Sequence, residues 1–242
     1  MGSRKTSRSI FHKAGFHLRR IAFEQYAIPK VRDEKISKAL LKRYLPPDPV
    51  IIDCGAYDGT DSVALAKLFP KGMVHSFEPI DNLFNRLLKN TVSYSNIKCY
   101  QLALSDRSGM QDFYVSEGLS DGSSSLLEPV LHLKDHPDTF FKTKIIVNTT
   151  ALSEWAYQHG ITKVNMLWLD MQGFELQMLK AAGNILKTVS VIHTEVSTRE
   201  TYKNVAQYKE YRKFLEQAGF NVIIEAIPKG WDMGNVLFVR KE

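Results

Sequence analysis

The sequence predicts an α/β fold, a doubly wound and mostly parallel sheet of seven strands closed by an antiparallel C-terminal hairpin. Three observations carry this expectation. From Val50 onward, short apolar runs alternate with amphipathic stretches. Several runs, such as Val50-Ile51-Ile52 and Met166-Leu167-Trp168-Leu169, are continuously apolar, as strands covered on both faces are. The first run opens into Asp53-Cys54-Gly55-Ala56-Tyr57-Asp58-Gly59, a glycine turn of the kind that joins a first strand to a helix in such sheets. Short helical links then imply right-handed crossovers between parallel neighbours.

Ser9 to Tyr26 places Phe11, Ala14, Leu18, Ile21 and Ala22 at helical spacing, and Pro29 ends that pattern. Asp33 to Leu45 predicts a second amphipathic helix with Ile36, Leu40, Leu41 and Tyr44 on its apolar face. Pro46-Pro47-Asp48-Pro49 is a stiff connector, because consecutive prolines bar helix. It sets the expected boundary between a basic helical extension, residues 1–45, and one α/β domain, residues 46–242. Strands are expected at Val50–Cys54, Met73–Glu78, Ile97–Gln101, Met166–Leu169, Val189–Val196, Asn221–Ala226 and Asn235–Val239. Helices are expected at Asp61–Leu68, Ile80–Lys89, Leu152–His159, Phe174–Ala181 and Val205–Ala218. The last two strands, joined through Pro228-Lys229-Gly230, form the hairpin. Gly109–Val115 and Lys144–Thr149 alternate and predict an added antiparallel pair. Between them, Ser116–Thr143 holds a Gly/Ser run from Gly118 to Leu126, a loop whose length marks either a functional lid or a disordered segment.

Composition narrows the class. At 44% hydrophobic and 24% charged the chain is ordinary for a soluble globular protein. No stretch approaches the roughly 18 apolar residues that span a bilayer, and the N-terminus lacks the apolar core of a secretory signal, so a cytoplasmic location is expected. Two cysteines, Cys54 and Cys99, make no disulfide framework and no metal-ligand spacing. Residues 1–43 hold twelve Lys or Arg against three acids, a net +9, so a chain of net +6 leaves −3 for the rest. A mildly acidic body argues against a nucleic-acid groove, while the basic arm suits peripheral association with an anionic surface. Met1-Gly2-Ser3-Arg4-Lys5-Thr6 also matches a myristoylation pattern.

The chemistry is expected at the carboxyl ends of the strands, where open α/β sheets bind ligands. Glu78, 25 residues after Asp53, stands at the tip of the second strand, where a carboxylate accepts hydrogen bonds from both hydroxyls of a ribose. The turn is not a dinucleotide turn: the spacing is Gly55-x-x-x-Gly59, no third glycine follows, and Asp58 and Asp61 stand where a diphosphate would lie. Carboxylates suit a sulfonium cation instead, which points to S-adenosylmethionine. Asp170, beyond Leu169 and before Gly173, is either an active-site carboxylate or an N-cap for the next helix. His193 and Glu195 share a face of one strand; either can serve an alcohol as general base, and His193 fits a core role equally. Asp170, Glu175 and Glu195 together can also hold a divalent cation. His132 and His136, with Asp135 and Asp138, form a polar cluster in the loop region.

These residues resemble the FkbM family of S-adenosylmethionine-dependent methyltransferases. The resemblance covers most of residues 50–240. It rests on Ile52-Asp53-Cys54-Gly55-Ala56, Phe77-Glu78-Pro79, Ala103-Leu104-Ser105-Asp106, the Gly/Ser loop ending Ser124-Ser125-Leu126, and Leu169-Asp170-Met171-Gln172-Gly173-Phe174-Glu175. It implies a class I methyltransferase fold, S-adenosylmethionine as cofactor, and hydroxyl acceptors on small molecules, glycans or natural products. Carried over, Asp53, Gly55, Ala56, Tyr57, Asp58 and Gly59 would hold the amino-acid end of the cofactor. Glu78, with Pro79, would bind the ribose, and Ala103, Leu104 and Ser105 would lie near the adenine. Asp170 would face the transfer site. The family often has Lys-Ile-Asp-Val-Glu-Gly where this chain has Trp168-Leu169-Asp170-Met171-Gln172-Gly173, so a lysine and an acid are missing here. The rival readings are an NAD-dependent oxidoreductase and a non-catalytic cofactor-binding protein docked on an anionic surface.

Overall fold

The computed structural model describes residues 36–118, 121–131, 133 and 138–241. The expected helix from Ser9 to Tyr26 and most of the His132–Asp138 cluster lie outside the described residues. The strands are β1 (Val50–Cys54), β2 (Met73–Phe77), β3 (Ile97–Tyr100), β4 (Ala103–Ser105), β5 (Gly109–Gly118), β6 (Thr139–Ala151), β7 (Met166–Leu169), β8 (Val191–Ser197), β9 (Phe220–Ala226) and β10 (Met233–Arg240). The helices are α1 (Thr60–Leu68), α2 (Asp81–Thr91), α3 (Leu152–Gln158), α4 (Glu175–Ala181) and α5 (Tyr208–Gln217).

The main sheet has the order β3-β2-β1-β7-β8-β10-β9. The pairs β1–β2, β1–β7, β2–β3 and β7–β8 are parallel, and β10 runs antiparallel to both β8 and β9. The doubly wound sheet and its C-terminal hairpin are therefore as the sequence predicts. Strand order reverses at β1, so the crevice for a ligand opens beyond Cys54, between the tips of β2 and β7.

The continuously apolar strands are buried on both faces. Ile52, Leu167, Leu169, Ile192 and Phe238 pack under Trp155, Leu176, Met178, Leu179 and Leu215 of α3, α4 and α5. On the opposite face, Ile51, Val74, Met166, Trp168, Val191 and Leu237 pack under Leu65 and Ala66 of α1.

That second face carries a correction. The expected helix over Asp33–Leu45 is instead a 3-10 turn at Lys38–Arg43, flanked by Ile36 and Leu45. Ile36, Leu41 and Leu45 are all buried in the core with Ile51, Leu65 and Trp168. The core thus begins before the prolines, and Ile36, Leu41 and Leu45 are part of it. The prolines fix the backbone direction without ending the packing: the Pro49 carbonyl still accepts the Met73 N–H at 2.9 Å.

A second, three-stranded sheet, β4-β6-β5, flanks the crevice. The expected antiparallel pair is present and longer than its alternation suggests, and β4 adds a short parallel strand through Ala103↔Thr149. No helix among the described residues is long and apolar enough to cross a membrane.

Candidate cofactor cleft and acceptor end

The turn after β1 is held by backbone. Gly55, Tyr57 and Gly59 have φ of 77°, 52° and 85°, three left-handed residues within five. The N–H groups of Gly55 and Ala56 both donate to the Phe77 carbonyl, at 3.1 and 2.9 Å, which ties the turn to the tip of β2. On the other side the Asp170 N–H donates to the Cys54 carbonyl at 3.0 Å. A Cβ on Gly55 would stand 1.9 Å from the Asp170 carbonyl oxygen, so only glycine lets the β1 turn and the β7 tip meet.

Glu78 is the carboxyl wall of this cleft. Its carboxylate accepts the Tyr57 N–H at 3.1 Å through Oε2 and the Ile80 N–H at 2.8 Å through Oε1. One donor comes from the turn, the other from the start of α2, and together they fix the orientation of the group. Burial raises its proton affinity to a pKa of about 7, against the pull of those two N–H groups. Beyond Glu78, the cleft is lined by Pro79, Ile80, Leu83, Ala103, Leu104 and Phe113, an apolar slot suited to a flat base. The other end is lined by Asp58, Thr60, Asp61 and Asp170 and is acidic.

The Gly/Ser segment roofs the cleft, with Asp121, Gly122, Ser124 and Leu126 among its lining residues. Asp121 is gripped by the Tyr57 hydroxyl and, at 3.1 Å, by Arg86 of α2, whose guanidinium lies 4.8 Å above the Tyr57 ring. Serine hydroxyls bind the segment to β5: the Ser116 N–H donates to Ser124 Oγ at 2.9 Å, and the Ser123 N–H to Ser116 Oγ at 3.0 Å. The connection between β5 and β6 is therefore shorter than the expected Ser116–Thr143, because both strands extend into it.

Not every residue singled out from sequence reaches the cleft. Gly55, Ala56, Tyr57, Asp58, Glu78, Pro79, Ala103, Leu104 and Asp170 line it. Asp53 does not: its carboxylate turns under α1 and accepts the Ser62 hydroxyl at 2.5 Å, fully buried, with its pKa raised to about 7 by that burial. Gly59 serves helix packing instead, since a Cβ there would lie 2.7 Å from Leu87 of α2. The Ser105 hydroxyl accepts the Gln111 amide at 2.6 Å and so joins β4 to β5.

At the tips of β7 and β8, Asp170 and Glu195 converge through Gln172. The Gln172 amide nitrogen donates to Asp170 Oδ1 and to Glu195 Oε2, both at 2.8 Å. Burial raises the pKa of Asp170, the Gln172 donor opposes the rise, and the nearby Asp61 adds to it. His193 is displaced from this group. It lies flat beneath Trp168, with ring centroids 3.6 Å apart and planes 3° from parallel, and burial lowers its pKa to about 3. Strand alternation put His193 and Glu195 on one face correctly, but Trp168 covers the imidazole, so a neutral core histidine is what the fold makes of it.

Asp170 is not the helix N-cap. The N–H groups of the turn, Met171 and Gly173, donate to Glu175 at 2.8 and 3.3 Å. Glu175 is thereby committed to its own turn, and the Gln172 amide stands between the other two carboxylates of the expected cation site. No cluster of three His, Cys, Asp or Glu side chains among the described residues is arranged to hold a metal ion.

Sequence reasoning missed three contributors. Lys38 lies 2.5 Å from Asp61 and 4.6 Å above the Trp168 ring, at the acidic end. Tyr202, buried, donates toward the Gln172 side-chain oxygen at 3.0 Å and the Ser123 carbonyl at 2.7 Å. Phe113, on the added sheet, closes the apolar slot. None stands in a strand-tip motif, so no local pattern marks them.

Comparison with known proteins agrees with this geometry. The methyltransferase FkbM domain family matches residues 53–222. The 2-O-methyltransferase NoeI of Sinorhizobium fredii is 30% identical over 174 residues, 70% of this chain and 72% of the relative. The hexuronic acid methyltransferase AglP of Haloferax volcanii is 25% identical over 187 residues, 76% of this chain and 71% of that protein. Among solved structures, the FkbM methyltransferase of Methylobacillus flagellatus superposes with a TM-score of 0.57 at 12% identity, over 93% of this chain and 52% of that one. The family match spans the turn, Glu78, the added sheet and the β7–β8 tips; this chain belongs to the FkbM family of S-adenosylmethionine-dependent methyltransferases.

Proposed function

We propose that this protein transfers the methyl group of S-adenosylmethionine to a hydroxyl oxygen of a sugar or sugar-like acceptor. The observation that carries the reading is Glu78, held by the N–H groups of Tyr57 and Ile80 between an apolar slot and an acidic end. That donor set fits the cofactor. A carboxylate oriented by two N–H groups keeps lone pairs for a vicinal diol, the apolar slot suits adenine, and Asp58, Asp61 and Asp170 suit an ammonium and a sulfonium. When bound, S-adenosylmethionine supplies an electrophilic methyl group.

The protein's own part is to position and to exclude water. Orienting the two reactants accounts for about 7–11 kcal/mol of barrier lowering at best. The roof formed by 121–126 keeps solvent from the cleft. An alcohol loses its proton as it attacks, and Asp170, raised in proton affinity at the wall of the cleft, is the base of choice, with Glu195 beside it. The names of NoeI and AglP support an oxygen on a sugar as the acceptor class. For residues 1–35, with their excess of Lys and Arg, we propose peripheral contact with an anionic surface from the cytoplasmic side.

Incubation with methyl-labelled S-adenosylmethionine and a panel of glycans, lipid-linked sugars and small hydroxylated metabolites tests the reading. Label released as methanol by acid hydrolysis of an ester, or label on nitrogen, overturns hydroxyl transfer. Tight cofactor binding without turnover on any acceptor favours a binding protein.

A further inference from the structure

Buried Gln172 and Tyr202 join the Asp170 and Glu195 carboxylates in one hydrogen-bonded chain that reaches the roof of the cleft. At its centre, Gln172 has a left-handed backbone with φ of 52°, a strained conformation for a residue other than glycine. Its amide nitrogen carries two hydrogens and spends one on each carboxylate, Asp170 and Glu195, at 2.8 Å. With the nitrogen facing two carboxylates, the amide oxygen must accept, and the Tyr202 hydroxyl 3.0 Å away has a single proton to share between that oxygen and the Ser123 carbonyl. The same hydroxyl lies 2.7 Å from the Ser123 carbonyl, and Ser125 Oγ donates to the Gln172 carbonyl at 2.8 Å. Both of these contacts come from the segment that covers the cleft.

We infer that Gln172 is a positioning residue that couples closure of the 121–126 segment, through Tyr202, to the orientation and charge of Asp170 and Glu195. The inference rests on the assignment of these carboxylates to the acceptor end. Seating of the roof places Tyr202 between the Ser123 carbonyl and the Gln172 amide oxygen, and the amide nitrogen, so oriented, holds Asp170 and Glu195 together. The titratable groups that act on the pair are Asp53 from β1, Asp61 from α1, Glu175 from α4 and Tyr202 from the segment before α5. Lys38, from the 3-10 turn, is paired with Asp61. The Gln172 N–H is the contact that opposes the rise in the proton affinity of Asp170. N–H donors favour the charged carboxylate, so their removal makes Asp170 hold its proton to higher pH.

The test is a carboxyl-carbon NMR titration of labelled protein saturated with S-adenosylhomocysteine. Gln172→Gly keeps the left-handed backbone but removes the amide, and should move the Asp170 midpoint up by about one pH unit. Tyr202→Phe should move it up by less, and should speed hydrogen exchange of the 121–126 backbone at least tenfold. Asp121→Ala loosens the roof at its far tether, Tyr57 and Arg86, without touching Gln172, and should also move the Asp170 midpoint upward. An unchanged midpoint in Gln172→Gly overturns the bridge. Faster roof exchange in both Tyr202→Phe and Asp121→Ala with an unmoved midpoint overturns the coupling, because a merely structural role changes melting and not titration. If wild-type protein does not bind S-adenosylhomocysteine, the cofactor reading fails, and the same titration of the ligand-free protein still decides the bridge.

Discussion

At the cofactor end the polar contacts run through the backbone: the turn donates to Phe77 and Glu78, and Gly55 touches the Asp170 carbonyl. At the acceptor end they run from side chain to side chain, among residues 170, 172, 195 and 202. The first construction tolerates little change at a few positions within one short segment. The second assembles its contacts from segments far apart in the chain. Such a division suits an enzyme whose cofactor is fixed and whose acceptor differs between relatives.

The contrast is broken most severely by Gly55→Ala. The added Cβ collides with backbone at 1.9 Å and the residue must keep φ of 77°. We expect about 4 kcal/mol of lost stability by urea unfolding, with cofactor binding abolished. A fold that tolerates alanine there would mean that the two tips need not meet. Next in size is the start of the packed domain. A chain beginning at residue 36 should fold and bind S-adenosylhomocysteine, whereas one beginning at residue 46 loses Ile36, Leu41 and Leu45 from the core. At about 1.5–3 kcal/mol per buried side chain, on the order of 5 kcal/mol is lost, enough to unfold many domains. Equal melting temperatures for the two would restore the boundary at the prolines.

Glu78→Ala sharpens the comparison from the cofactor side. Affinity measured by calorimetry should fall at least tenfold, about 1.4 kcal/mol. The wild-type response to pH follows from the same residue. Its pKa of about 7 in the ligand-free protein means that the charged form, which accepts from ribose hydroxyls, is gained as pH rises through 7. Affinity should therefore increase about tenfold from pH 6 to pH 8, and Glu78→Gln should flatten that profile. Stability runs the other way. Asp53, Glu78 and Glu175 are each raised to about 7, so the native state holds their protons more tightly than the unfolded chain does. That contribution is fully present below about pH 4 and lost as pH rises through 7, and the ligand-free protein should melt higher at pH 5.5 than at pH 7.5. The smallest effect is expected for Asp53→Asn. Its carboxylate meets Ser62 beneath α1 and not the cleft, so cofactor affinity should change less than threefold. A tenfold loss would return Asp53 to the binding site.

The fold was legible because its signals are local. Continuous apolar runs give parallel strands, and Pro228-Lys229-Gly230 gives the hairpin whose second strand, β10, enters between β8 and β9. The limits of legibility are also physical. Alternation assigns His193 to a face of its strand but not to what covers it, and Trp168 lies one strand away in the sheet and 25 residues away in sequence. The amphipathic pattern before the prolines was readable, yet the same apolar spacing is satisfied by a 3-10 turn packed on a sheet, so helix type and boundary were both missed. Asp53 read as a ligand because it abuts the glycine turn; only the direction of its side chain, toward Ser62, removes it.

By itself the sequence determined the sheet, the turn from Cys54 to Gly59, and the pairing of that turn with Glu78. Each depends on backbone conformations open to a few adjacent residues: glycines at positive φ and β-branched residues in strands. Tertiary structure alone decided the acceptor end, where Gln172 meets Glu195 across 23 residues and Tyr202 meets Ser123 across 79. A hydrogen bond between side chains needs an approach within about 3 Å and a defined angle, and over such separations only the completed packing supplies either.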